Sequence, residues 1–156
     1  MLKFAIPGFG SLQLTHLVLD FNGTLAIDGR TLPGVKKRLR YLSRRLDLHV
    51  LTADTFGTVR AALAGVPCKL TILPRARQDR AKLACVRRLG ARATVCIGNG
   101  RNDRLMLRAA ALGIAVLQSE GTAPEALAAA DLVVPDILDA LDALDHPLRL
   151  VATLRS

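Results

Sequence analysis

The sequence predicts an α/β fold: a doubly wound parallel sheet with helices on both faces. Three observations carry this. Short apolar runs recur at 17–21, 48–52, 69–73, 94–97, 114–117 and 132–134. Segments with helical periodicity separate them, joined by short loops. The first run, Leu17-Val18-Leu19, is continuously apolar up to Asp20, as expected of a strand buried on both faces. Right-handed crossovers then place helices above and below the sheet.

The elements follow in order. Residues 2–6 and 12–15 flank Pro7-Gly8-Phe9-Gly10, giving a small hairpin or an irregular lead-in over residues 1–15. Leu17 to Phe21 is the first core strand. Leu25 to Leu32 is a loop with a turn at Asp28-Gly29. Thr31 and Pro33 open a helix to about Leu46, with Val35, Leu39, Leu42 and Leu46 as its apolar stripe. After the second strand, Asp54 or Thr55 caps a helix from about Phe56 to Leu63, stopped by Gly65 and Pro67. Lys69 to Leu73 is the third strand, followed by a helix from about Arg77 to Leu89 that closes at Gly90. Thr94 to Ile97 is the fourth. Gly98-Asn99-Gly100 leads into a helix from about Asn102 to Leu112. Ile114 to Leu117 is the fifth strand, Thr122 to Ala130 a helix, Leu132 to Val134 the sixth strand, and the remainder is helical with a break at Pro147.

Composition bounds the function. With 156 residues the chain reads as one domain, 1–156, long enough for a core of its own. No uncharged apolar run approaches the ~18 residues of a spanning helix, since Arg108 interrupts the stretch from Leu105 to Leu117. Near the N-terminus, Lys3 is followed by Pro7, Gly8 and Gly10 without a long apolar region, so a cytoplasmic location is expected. Cys68, Cys85 and Cys96 are odd in number and lack a C-x-x-C spacing, and read as reduced core thiols. His16, His49 and His146 read as structural. The net charge of +9 is concentrated at residues 36–45, opposite an apolar stripe, so that face reads as solvated. With Trp absent and few aromatics for base stacking, composition argues against nucleic acid as a partner.

In a sheet of this kind the ligand site lies beyond the carboxyl ends of the strands. Polar groups gather there. The first strand delivers Asp20, with Asn22, Gly23 and Thr24 after it; the second ends at Thr52, Ala53 and Asp54; the fourth leads to Asn99, Asn102 and Asp103. Lys82 begins the stripe Lys82, Val86, Leu89 at the end of its helix that faces the same edge, with Lys69 a weaker candidate for its role. A carboxylate, a hydroxyl, a lysine and a second carboxylate suit phosphoryl transfer. The carboxylate attacks phosphorus to give an acyl phosphate. Lys82, Thr52 and backbone amides balance the phosphoryl charge. Mg²⁺ fits such oxygens.

These residues resemble the motifs of the haloacid dehalogenase (HAD) superfamily of phosphohydrolases. Asp20-Phe21-Asn22-Gly23-Thr24 resembles the first motif, Thr52 the second, Lys82 the third, and Gly98-Asn99-Gly100-Arg101-Asn102-Asp103 the fourth. The phosphorylation domain of P-type ATPases is a closer likeness. Val50-Leu51-Thr52-Ala53-Asp54 resembles its threonine-glycine-aspartate segment, and Glu120-Gly121-Thr122 with Ala128-Ala129-Ala130-Asp131 its hinge region. The likeness runs over about residues 15–143. It implies strand order 3-2-1-4-5-6. It also implies catalytic Asp20, Asn22, Thr52 and Lys82, substrate-binding Gly23, Thr24, Ala53 and Asn102, and a Mg²⁺ site at Asp20, Asn22, Asn99 and Asp103. Asn102 either orients Asp103 or Lys82 or caps its helix. Arg101 could meet an anionic substrate rim, while Arg104 and Arg108 read as solvated.

Departures from the family pattern shape the expectation. Asp20 and Thr52 are 32 positions apart, and Thr52 and Lys82 are 30 apart, too few for a cap domain or a nucleotide-binding domain. The expected protein is a stand-alone capless core rather than an ion pump. Its open site suits a small phosphorylated substrate or a phosphorylated macromolecule, with a second subunit of a homo-oligomer as one way to cover it. Asn22 stands where superfamily phosphatases usually carry a general acid, and Asn99 where they usually carry a metal-binding aspartate. The loss of an acid–base group typically costs about 10²–10⁴ in rate. The expectation is a slow Mg²⁺-dependent phosphohydrolase working through Asp20; the alternative is a weakly active or inactive phosphate-, metal- or protein-binding module.

Overall fold

The structure, a computed structural model, describes residues 1–53 and 58–156. Leu2, Ile6, Leu12 and Leu14 are buried, and the two strands that carry them pair antiparallel, β1 (Leu2–Ile6) with β2 (Gly10–Leu14). The lead-in is thus a regular hairpin. β3 (His16–Asp20) follows after one residue, with Leu17, Val18 and Leu19 fully buried.

Two short strands, β4 (Ala26–Ile27) and β5 (Arg30–Thr31), then form a small hairpin in the segment expected to be a loop. The turn is where the sequence placed it. Asp28 and Gly29 both have positive φ, 49° and 74°, as a two-residue hairpin turn requires. With two residues on each side, the strands were too short to show a periodicity.

α1 (Val35–Leu42) is shorter than expected, because the chain passes into turns at residues 43–46, although Leu46 remains in the core. β6 (Asp47–Thr52) comes next. The proposed caps Asp54 and Thr55 lie outside the described residues, and α2 covers Val59–Ala62. β7 (Lys69–Ile72), α3 (Gln78–Leu89) and β8 (Thr94–Gly98) fall close to their expected places.

The next boundary differs. A 3₁₀ turn at Arg101–Asp103 opens α4 (Arg104–Ala109), and β9 already begins at Leu112 (Leu112–Val116). The helix ends early because Ala110 is extended, at ψ 160°, and the Ala111 N–H turns to the carbonyls of Ala91 and Thr94. α5 (Pro124–Ala129), β10 (Leu132–Val134), α6 (Ile137–Asp145) and α7 (Pro147–Leu154) complete the chain.

The six core strands are all parallel, in the order β10-β9-β8-β3-β6-β7. Counted by appearance among the core strands, and read from β7, this is the predicted 3-2-1-4-5-6. Alternate residues sort onto the two faces, as strand geometry demands. Leu17, Leu19, Val95 and Ile97 join the core built with α1 and α6; Val18, Cys96 and Leu51 join the one built with α3, α4 and α5. Among the described residues, no cap domain is inserted between β3 and β6 or between β6 and β7. The basic segment 36–45 is not wholly solvated: Arg38 makes a two-pronged ion pair with Asp142 of α6 at 2.6 and 2.9 Å, and Arg45, in the turn after α1, pairs with Asp145 at 3.2 Å.

Candidate active site

Register brings the chemistry to one edge. β3 lies between β6 and β8, with Asp20 opposite Leu51 and Leu19 opposite Ile97. Asp20, Thr52 and the loop after β8 therefore emerge side by side. Thr52 is buried one residue beyond the partner of Asp20. Ala53 follows it, half-buried, at the border of the described residues.

Lys82 reaches this edge from the other side. It lies one turn into α3 and is completely buried, as is Asp103, while Asp20 keeps 7% of its surface. Its ammonium donates to Asp20 Oδ1 at 2.7 Å and to Asp103 Oδ1 at 2.6 Å. Burial alone would drive Lys82 toward its neutral form, but the two carboxylates outweigh it and hold its pKa above the ordinary value. Asp20 is pushed the other way. Burial first, then the charge of Asp103, raise its carboxyl to about 6 against the opposing pull of Lys82.

Asp103 fixes the loop that follows β8. Its Oδ2 accepts from the backbone N–H groups of Asn99 at 3.0 Å and Gly100 at 2.8 Å. Gly98 makes room for that carboxylate, since a Cβ there would lie 2.5 Å from Asp103 Cγ. Both oxygens of Asp103 are thus engaged, by Lys82 and by the loop. The sequence expectation made Asp103 a metal ligand of this loop; here its carboxylate holds Lys82 and the backbone of Asn99 and Gly100.

Asn99 joins this loop to the one that follows β3. Its Nδ2 donates to the Gly121 carbonyl at 2.9 Å, which leaves Oδ1 turned toward Thr24. Thr24 Oγ1 stands 3.2 Å from Asn99 Oδ1 and 3.3 Å from Asp20 Oδ2, and its one proton serves one of them at a time. Gly23 has φ 78°, and a Cβ there would fall 2.3 Å from Asn99 Nδ2. A side chain at 23 would be strained in conformation and would strike the amide. Asn22 Oδ1 is buried without a hydrogen-bond partner.

Asp20 Oδ2 and Asn99 Oδ1 flank the Thr24 hydroxyl, and Asn22 Oδ1, on the same loop, is a further oxygen without a partner. This suits a hard divalent cation that keeps several waters. Among the described residues no cluster of three or more His, Cys, Asp or Glu side chains is arranged to hold a metal.

Asn102 stands apart from this cluster. Its Nδ2 donates to Gln78 Oε1 at 2.8 Å at the head of α3, one residue from Asp103. The sequence reading missed Gln118. Its Nε2 donates to the carbonyls of Gly23 at 2.6 Å and Thr24 at 2.8 Å, and its Oε1 accepts from the Ile137 N–H at 3.0 Å. Two residues on, Glu120 accepts from the Asp28 N–H at 2.9 Å. The segment after β9 thus clamps the loop that carries Asp20. A signal was present: Gln118 is the first polar residue past the fifth strand, at the same sheet edge.

No family model matches the chain. Over 61 residues, 39% of the chain, it is 49% identical to the uncharacterised protein MJ0073 of Methanocaldococcus jannaschii, and this match spans 66% of that relative, just under two thirds of its length. Over 39 residues it is 49% identical to the uncharacterised protein MJ0072 of the same organism, covering 25% of the chain and 89% of the relative, so the two share a family. Among solved structures, the 3-deoxy-D-manno-octulosonate 8-phosphate phosphatase of Moraxella catarrhalis, in complex with magnesium ion, phosphate ion and KDO, superposes with a TM-score of 0.71 at 15% identity, covering 91% of this chain and 94% of that one. The fold is that of the haloacid dehalogenase superfamily. The cobalt-bound Haemophilus influenzae enzyme of the same name gives a TM-score of 0.71 at 17% identity, covering 91% of each chain. A zinc-transporting PIB-type ATPase in its E2.Pi state gives 0.58 at 24% identity, over 78% of this chain and 20% of that one. No helix among the described residues is long and apolar enough to cross a membrane.

Proposed function

We propose that the protein is a Mg²⁺-dependent phosphohydrolase that forms an aspartyl-phosphate on Asp20 and turns over slowly. The observation that carries this reading is the buried Lys82 ammonium bridging Asp20 and Asp103. A fully buried lysine at a sheet edge, held charged by two carboxylates, supplies fixed positive charge where a phosphoryl group would meet Asp20. Asp20 Oδ1, beside the ammonium, attacks phosphorus as the alkoxide of the ester departs. Thr24, Thr52 and the backbone of residues 22–24 and 53 orient the phosphoryl oxygens. Asp20 Oδ2 and Asn99 Oδ1, with Asn22, would hold the cation, which when bound offsets the charge of nucleophile and phosphate.

The slow step is the return. The second half-reaction needs a base to take a proton from water, and Asn22 offers an amide in place of a carboxyl. The Moraxella catarrhalis phosphatase neighbour, whose structure holds magnesium and phosphate, supports the chemistry; the ATPase neighbour in its E2.Pi state shares the fold. The two amides Asn22 and Asn99 also favour a second reading, a module that binds phosphate or metal without turnover. The test is hydrolysis of p-nitrophenyl phosphate with Mg²⁺. Asp20→Asn is expected to abolish it and Asn22→Asp to raise it about tenfold or more. Turnover that survives Asp20→Asn refutes the proposal; absence of turnover in every form, Asn22→Asp included, leaves the second reading.

A further inference from the structure

Beside the candidate site lies a groove of about 350 Å³ whose rim carries four arginines, Arg75, Arg77, Arg101 and Arg104. Its one acid is Asp79, which Arg104 Nη2 holds at 2.8 Å. Arg101 pairs with Glu125 at 3.1 Å on the open surface. Among the described residues neither Arg75 nor Arg77 makes an ion pair, and both are exposed. Arg77 sits at the head of α3 with φ 57°, a left-handed backbone that costs a non-glycine residue about 1 kcal/mol.

The groove is lined from the same two elements that carry Lys82 and Asp103, the head of α3 and the 3₁₀ turn before α4. Gln78 is four residues before Lys82 on α3, so the two lie on one helix face about 6 Å apart along the axis. Asn102 adjoins Asp103, and its amide donates to Gln78, both residues lining the groove. A molecule with its phosphate at Asp20 would therefore extend over Gln78 and Asn102 toward Arg75 and Arg77. Guanidinium groups bind carboxylates and phosphates through two parallel N–H donors, which suits them to a second anion.

We propose that this groove is a second anion subsite, and that the substrate is a small phosphate ester carrying another negatively charged group, a carboxylate or a phosphate, about one helical turn from the first. The inference rests on the phosphohydrolase reading of Asp20 and specifies its substrate class. It is tested with phenyl phosphate and 4-carboxyphenyl phosphate, on the wild type and on the Arg75→Gln/Arg77→Asn double variant. Asn is chosen at 77 because it tolerates the left-handed backbone.

The wild type is expected to favour the carboxylated ester roughly tenfold in kcat/KM, and the double variant to bring that ratio near one. Isothermal titration of both esters into Asp20→Asn measures the same ratio in Kd, so the subsite is judged even where nothing is hydrolysed. Absence of hydrolysis of either ester would count against the phosphohydrolase reading alone. Equal Kd values for the two esters, or a preference that survives the double substitution, would overturn the subsite. A 5′-phosphorylated oligonucleotide that binds more tightly than the carboxylated ester, and loses that affinity in the double variant, would overturn the small-molecule assignment in favour of nucleic acid.

Discussion

Lys82→Met removes the charge at the centre of the site while keeping the length of the side chain. Two buried ion pairs are lost, at 2.7 and 2.6 Å, and two carboxylates remain without their shared counter-charge. Removing one partner of a buried pair typically costs about 3–5 kcal/mol. The two carboxylates are not left equal. Asp103 keeps two backbone N–H donors, whereas Asp20 retains one, from Phe21, and the shared hydroxyl of Thr24. Most of the cost should therefore sit on Asp20. Adding Asp20→Asn to Lys82→Met is expected to recover at least half of the lost stability, although Asp20→Asn alone removes a partner of Lys82. Urea unfolding followed by far-UV circular dichroism measures this; with Trp absent and one Tyr, fluorescence would report little. A loss under about 1 kcal/mol in Lys82→Met, or a double variant no more stable than the single one, would refute the reasoning.

Other outcomes follow from the same geometry. Gln118→Ala strips a donor from the Gly23 and Thr24 carbonyls and an acceptor from the Ile137 N–H, and should cost roughly 1–3 kcal/mol in urea unfolding. It should also lower kcat on p-nitrophenyl phosphate by up to ~10²-fold by loosening the nucleophile loop. Burial, and then the neighbouring His16, push the His49 pKa below the usual value. The unfolded chain then takes up that proton first, so the stability contributed by neutral His49 is complete above about pH 6.5 and lost as pH falls below it. Asp20, raised to about 6, works in the opposite sense, favouring the folded state at low pH and losing that contribution as pH rises toward 6. Comparing wild type with His49→Gln at pH 7.5 and 5.5 cancels the Asp20 part, and the variant should lose less stability on acidification. An equal loss would contradict this account of His49.

Much of the fold was legible because the strands are short apolar runs with clear stops. The parallel order followed from the alternation of elements and the likeness at Asp20 and Thr52. The α4–β9 boundary was not legible: 105–117 is one apolar run apart from Arg108 and Gly113, and periodicity does not separate helix from strand in such a run. Its boundary is set by long-range bonds from Ala111 to Ala91 and Thr94. The site divides in the same way. Asp20, Thr24, Lys82, Asn99 and Asp103 were named in advance and do converge. That Asp103 grips Lys82 and the loop depends on register and on the space left by Gly98. Gln118 clamps residues 94 and 95 positions away, a pairing that no local pattern encodes.

The central claim is that Asp20 accepts a phosphoryl group. Its most direct test is intact-protein mass spectrometry after incubation with acetyl phosphate and Mg²⁺, with peptide mapping of any adduct. The account predicts one added phosphoryl group on Asp20, released by hydroxylamine as an acyl phosphate is, absent in Asp20→Asn and shorter-lived in Asn22→Asp. A protein that gains no phosphoryl group, and binds no fluoroberyllate at Asp20, would contradict it.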